Sequence, residues 1–137
     1  MKKLGLILTI SILILSCKSS EKKASPELKS SISEGEKVYQ NFCINCHMAN
    51  GEGIEGAYPP LANSDYLENN LKASIIGIKN GMKGEITVNG KTYNNVMTPM
   101  GLSNQEVADV TNYILNSWGN KNDTLITTKE VSKILPK

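Results

Sequence analysis

Arginine is absent from the 137 residues, histidine occurs once, and only seven residues are aromatic. A single histidine excludes any centre ligated by two histidines of one chain. Seven aromatics make a thin side-chain core, so another group is expected to help fill it. No apolar run is long enough to span a bilayer, because the longest, Leu4 to Leu15, has 12 residues; a multi-span membrane protein is excluded. There is no internal repeat. Charge of one sign is also missing: 15 lysines face 13 acids, and the balance is neutral once Lys2 and Lys3 are set aside. Residues 33–120 hold five lysines and nine acids, while the segments on either side are lysine-rich. A nucleic-acid footprint needs the opposite distribution, so nucleic acid is set aside as a partner. What remains is 39% apolar and 20% charged, which suits one small globular domain.

The chain starts with Lys2-Lys3, the 12-residue apolar stretch, and Ile14-Leu15-Ser16-Cys17. That is the layout of an export signal. It resembles a bacterial lipoprotein signal, in which Cys17 becomes the lipidated first residue of the mature protein. Residues 1–16 are therefore read as a signal peptide and 17–32 as a lipid-anchored flexible linker, rich in Ser, Lys and Glu. The fifteen residues 18–32 span at most about 50 Å extended and roughly 20 Å as a coil. The folded domain is expected over 33–137, exported to the periplasm or cell envelope and held at a membrane.

Three cysteines occur, Cys17, Cys43 and Cys46. Cys43-Ile44-Asn45-Cys46-His47 is C-x-x-C-H, the attachment sequence of haem c. Two thiols on one helical turn can each bond a haem vinyl group, and the next residue points its imidazole at the iron. A zinc site normally needs four Cys or His ligands, and only three lie close together here. A thioredoxin-like C-x-x-C should follow a strand in a βαβ unit, and no such pattern surrounds it. A plain disulfide leaves His47 unexplained. One covalent haem c is the expected cofactor.

Iron then needs a sixth ligand, and a Met thioether suits it, favouring the reduced iron. Met48 adjoins His47 and cannot reach the other face. Met97 and Met100 lie in Asn95-Val96-Met97-Thr98-Pro99-Met100-Gly101, a loop by its Pro and Gly. Ser103 and Glu106 begin a capped helix directly afterwards, with Leu102 and Val107 as a hydrophobic staple. Met97 is the expected ligand, Met100 the fallback, and Met82 stands behind both, since core filling is the ordinary use of a methionine.

Periodicity predicts an all-α domain of several helices around the haem. A first helix is expected over 33–46 with a Ser33/Glu36 capping box, then a Gly/Pro-rich loop over 49–60. One or two short helices follow within 64–78. Residues 85–93 suit a small hairpin turning at Asn89-Gly90. The strongest helix is expected over 103–118, capped by Gly119, and a short one over 127–135.

These residues resemble the class I (monohaem) cytochromes c over about 34–135. The resemblance rests on Cys43-x-x-Cys46-His47, Tyr58-Pro59-Pro60-Leu61, Met97, the closing helix ending Asn116-Ser117-Trp118-Gly119-Asn120, and two stretches, 88–94 and 127–131, similar to one bacterial branch. It implies that Gly35 and Tyr39 on the first helix meet Val110 and Tyr113 on the last. It implies that the Pro59 carbonyl, with Pro60 as fallback, accepts the His47 ring N–H, and that Leu61 packs on the haem. Met-Pro is here Met97-Thr98-Pro99, and no arginine is available for the haem propionates; Tyr66, Tyr93 or a lysine are the remaining candidates.

The resemblance implies an electron carrier, not an enzyme, with no small-molecule substrate. Implied partners are a quinol-oxidising complex or a dehydrogenase as donor and a terminal oxidase or reductase as acceptor. The acidic haem domain suits basic or apolar docking surfaces. The alternatives are an electron-transfer subunit of a larger oxidoreductase, a five-coordinate haem enzyme or sensor, and a lipoprotein without haem.

Overall fold

The computed structural model describes residues 24–135. The expected signal peptide, Cys17 and the first part of the linker lie outside the described residues. Six helices and one hairpin follow in order: α1 (Pro26–Phe42), α2 (Ile44–His47), α3 (Asp65–Asn69), α4 (Leu71–Asn80), β1 (Ile86–Val88), β2 (Lys91–Tyr93), α5 (Asn104–Ile114) and α6 (Thr128–Ile134). Among the described residues no helix is long and apolar enough to cross a membrane.

The first helix begins seven residues before the position expected from the pattern. Ser25, not Ser33, is its N-cap: the Ser25 hydroxyl accepts from the Leu28 N–H at 3.2 Å, and Pro26 holds the first helical position. Residues 26–32 are therefore not flexible linker. Their polar composition conceals two inward contacts, a fully buried Leu28 and a buried Ser31. The helix then breaks at Cys43 instead of running to 46, and α2 starts afresh as a single turn.

The α1–α5 crossing is the most extensive contact between elements. It is close because Gly35 has no side chain. A β-carbon there would run into the Asp109 carbonyl on α5 and come 2.8 Å from Tyr113 Cβ. Tyr39, one turn on, stacks with its ring centroid 5.4 Å from Tyr113 and 4.9 Å from Trp118. Around them Val38, Ile75, Val107, Val110, Ile114 and Val131 form the core, drawn from α1, α4, α5 and α6.

Ser103 and Glu106 form a reciprocal capping box at the start of α5, and Thr127 and Glu130 do the same for α6. The expected hairpin is present, pairing Ile86 with Tyr93 and Val88 with Lys91. Asn89 and Gly90 both have positive φ, as a two-residue primed turn requires. Helix α5 ends at Ile114, four residues short of the expected Trp118. The Asn116 and Ser117 side chains bond back to the Asn112 and Tyr113 carbonyls, competing with the helical ladder. Trp118 adopts φ +51 and turns its ring onto the two tyrosines.

A buried polar knot ties both ends of the chain to α5. Asn112, fully buried, donates to the Ser31 hydroxyl at 2.9 Å and the Ile126 carbonyl at 2.8 Å, and accepts from the Ile126 N–H. Ser31 in turn donates to Asp109, which also accepts from Gln105. Asn112→Ala is expected to destabilise the domain by about 2–4 kcal/mol, because it orphans several buried groups costing roughly 1–3 kcal/mol each. Amide exchange at Ile126 should speed up before exchange in α4 does. Protection of Ile126 unchanged in the variant would contradict this role.

Candidate cofactor-binding site

Three reactive side chains are brought together by one helical turn. The amides of Cys46 and His47 both bond the Cys43 carbonyl, at 3.1 and 2.9 Å, so residues at spacings of three and four share a face. The turn is fixed from outside. Tyr39 Oη donates to the Met48 carbonyl at 2.7 Å, and the Gly53 N–H donates to the His47 carbonyl at 3.0 Å. Cys43 and Cys46 are both half-buried and are not bonded to each other. Before haem is attached, burial, with a smaller contribution from Cys46, pushes the Cys43 thiol up to about 11.

His47 is buried, and its Nδ1 lies 3.0 Å from the Pro59 carbonyl oxygen. A carbonyl can only accept, so the neutral ring carries its proton on Nδ1 and its free lone pair on Nε2. Burial lowers the imidazole pKa, outweighing the Pro59 hydrogen bond, which raises it. The ring is thus held neutral, as a metal ligand must be. Pro60 contributes no such bond but lines the wall beside it.

Two adjoining cavities open on this turn and share Cys43, His47, Pro59, Met82, Ile86 and Met97. The inner one runs into the core past Leu61, Leu67, Ile78, Val110 and Ile114. The outer one reaches the surface between Phe42, Cys46, Tyr58, Val96 and Met100. No Lys, Asp or Glu lines either. Of the expected propionate partners, Tyr66 lines the inner cavity and Tyr93 the outer, and no lysine lines either cavity.

The candidate methionines stand at different depths of the two cavities. Met97 is half-buried and lines both cavities. Met100 is 36% exposed and lines only the outer one, so the fallback ligand lies at the rim. Met82 was set behind both, yet it too lines both cavities. It also pairs with Met97 in a short antiparallel bridge.

Two thiols and a neutral imidazole share one helical turn, and a thioether stands in the wall of the same apolar cavity. That set fits an iron porphyrin bonded through its vinyl groups. Among the described residues no group of three His, Cys, Asp or Glu side chains is placed to hold a bare metal ion. A mostly helical domain closed around such a pocket fits a haem-c protein. The family model for Cytochrome c matches residues 32–118. The chain belongs to the cytochrome c family, carries covalently bound haem c and serves electron transfer.

Cytochrome c-552 of Thermus thermophilus is 37% identical over 113 residues, covering 76% of this chain and 86% of that protein. The cytochrome c subunit of a quinone alcohol dehydrogenase from Gluconacetobacter polyoxogenes is 32% identical over 104 residues, covering 73% of this chain. The match spans 22% of that longer subunit. Cytochrome c-551 of Bacillus subtilis is 30% identical over 77 residues, covering 53% of this chain and 66% of that protein.

Proposed function

We propose that this chain is a membrane-tethered electron carrier whose single haem c is bonded to Cys43 and Cys46 and ligated by His47 and Met97. The observation that carries this reading is the apolar pocket, with His47 held neutral and Met97 in the same wall. Bound haem supplies one iron that alternates between ferric and ferrous. The chain's residues do the rest. Cys43 and Cys46 fix the group, and Pro59 orients the His47 ring and raises its basicity. Leu61 and its apolar neighbours exclude water. His47 and Met97 would both hold the iron, which would leave no site open to substrate and would suit electron exchange.

The partner is a redox protein that meets the cavity mouth. Exchange needs close approach, and the mouth is rimmed by uncharged residues. Phe42, Val96 and Met100 are 41%, 67% and 36% exposed, a cluster of large apolar side chains at one opening. Such patches mark contact sites. An apolar contact surface on the donor or acceptor fits this rim better than a ring of charge. A quinol-oxidising complex or dehydrogenase on one side and an oxidase or reductase on the other would then be linked along the membrane. The tether at Cys17 raises the effective concentration near such partners.

The test is fractionation of cells that attach haem c. The red protein is expected in the membrane fraction, cycling between reduced and oxidised forms with respiratory substrate and oxygen. Cys17→Ser is expected to stop lipid attachment at that residue and release the red protein from the membrane. Cys17→Ser protein that stays membrane-bound after a high-salt wash would overturn the tether. Stable co-purification of the wild type with a dehydrogenase would replace the free carrier with the subunit reading, which the dehydrogenase-subunit relatives make the chief alternative.

A further inference from the structure

The segment that carries Met97 has almost no regular structure of its own. Between the end of β2 and the start of α5 lie ten residues, Asn94 to Ser103, without a helix or strand. A soft ligand on such a loop would wander unless something fixed it. Three fastenings are present. The Asn95 side chain donates to the Ala57 carbonyl at 2.8 Å. Lys79, near the end of α4, donates to the Leu102 carbonyl. Between these, Met97 exchanges both main-chain hydrogen bonds with Met82: Met82 N–H to Met97 carbonyl and Met97 N–H to Met82 carbonyl, each 2.8 Å.

The third fastening touches the ligand residue itself, and it is anchored in turn. Two residues paired by both bonds lie directly opposite each other, with side chains on one face; here both line the shared cavity wall. The Met82 terminal methyl occupies the space Gly77 leaves, since a β-carbon on Gly77 would sit 2.6 Å from it. Gly81 ends α4 at φ +78, and a β-carbon there would come 2.5 Å from the Met97 carbonyl and 2.9 Å from Pro99 Cδ. Helix α4 itself is held in the core by fully buried Ile75.

We infer that Met82, directly after Gly81 and with its side chain against Gly77, is the positioning residue for the Met97 thioether: a main-chain clasp hangs the ligand loop on α4 and keeps its sulfur at the iron. This rests on the proposed His47/Met97 ligation. The clasp and the iron–sulfur bond then stabilise each other, and the coupling is reciprocal. Opening one must loosen the other.

The test uses full-length ferric holoprotein and imidazole, which displaces a Met by forming an iron–nitrogen bond as the iron–sulfur bond breaks, with no change of oxidation state. Saturating imidazole is expected to speed amide exchange at Met82 and Met97 about tenfold, within the 5–150-fold usual for coupled sites. Exchange at Val107 in α5 should not change. Conversely, Gly81→Ala, which forces the clasp apart, should raise imidazole affinity by a similar factor and weaken the far-red band of Met-ligated ferric haem. Met82 and Met97 amides that exchange equally fast with and without imidazole would overturn the clasp, and that measurement needs no variant to fold. Imidazole affinity within twofold of wild type in folded Gly81→Ala would do the same. A far-red band present in the wild type with no coupling removes the clasp alone; no such band in the wild type removes the Met97 ligation on which it rests.

Discussion

Gly35→Ala is expected to lower the stability of the domain by about 3 kcal/mol, the upper part of the usual range for overpacking a tight contact. The added carbon has nowhere to go. It meets the Asp109 carbonyl, which is main chain on the facing helix, and Tyr113 Cβ. Neither can swing aside as the end of a long side chain would. Helices α1 and α5 must therefore separate, and the Tyr39–Tyr113–Trp118 stack that depends on their approach must loosen with them. Gly35→Val should cost more. Gly56→Ala is the control: nothing stands within 4 Å of its β-carbon, though its φ is +74, so about 1 kcal/mol of backbone strain is expected. Denaturant unfolding followed through the visible spectrum would measure all three. A Gly35→Ala midpoint indistinguishable from wild type would contradict the close crossing.

Met97→Ala is expected to remove the far-red band, turn the ferric protein high-spin or water-ligated, and lower the reduction potential. The fall should be at least on the order of 100 mV, a modest share of the roughly 0.8 V over which axial ligands set haem potentials. Met100→Ala should leave band and potential close to wild type, because Met100 lies at the rim and lines only the outer cavity. The two substitutions remove the same atoms three residues apart, so the comparison separates ligand from rim contact. The reverse result would put Met100 on the iron. Loss of the band in neither would point to Met82.

The haem-attachment turn was legible because its chemistry is local: C-x-x-C-H names its own spacing. The Ser103/Glu106 capping box and the Asn89-Gly90 turn are legible for the same reason. The features missed leave no periodic pattern in the sequence. Ser31 and Leu28 sit in a stretch whose composition reads as linker, and the Asp109 and Asn112 side chains that Ser31 bonds lie some eighty residues away in sequence. The stop of α5 at Ile114 depends on side chains of Asn116 and Ser117 choosing main-chain carbonyls. Met82 ranks behind Met97 and Met100 in the sequence because a bridge of one residue pair leaves no periodic trace. The acidic balance of the folded part pointed toward basic or apolar partners, and the uncharged rim around Phe42, Val96 and Met100 supports the apolar choice.

The most direct test is the absorption spectrum of the haem-loaded wild-type protein in its oxidised and reduced forms. The account predicts a sharp low-spin reduced spectrum and, in the ferric form, the weak far-red band of sulfur-ligated iron. A high-spin spectrum in both states, with carbon monoxide binding the reduced protein without displacing a ligand, would contradict it and make this chain an open-site haem enzyme or sensor.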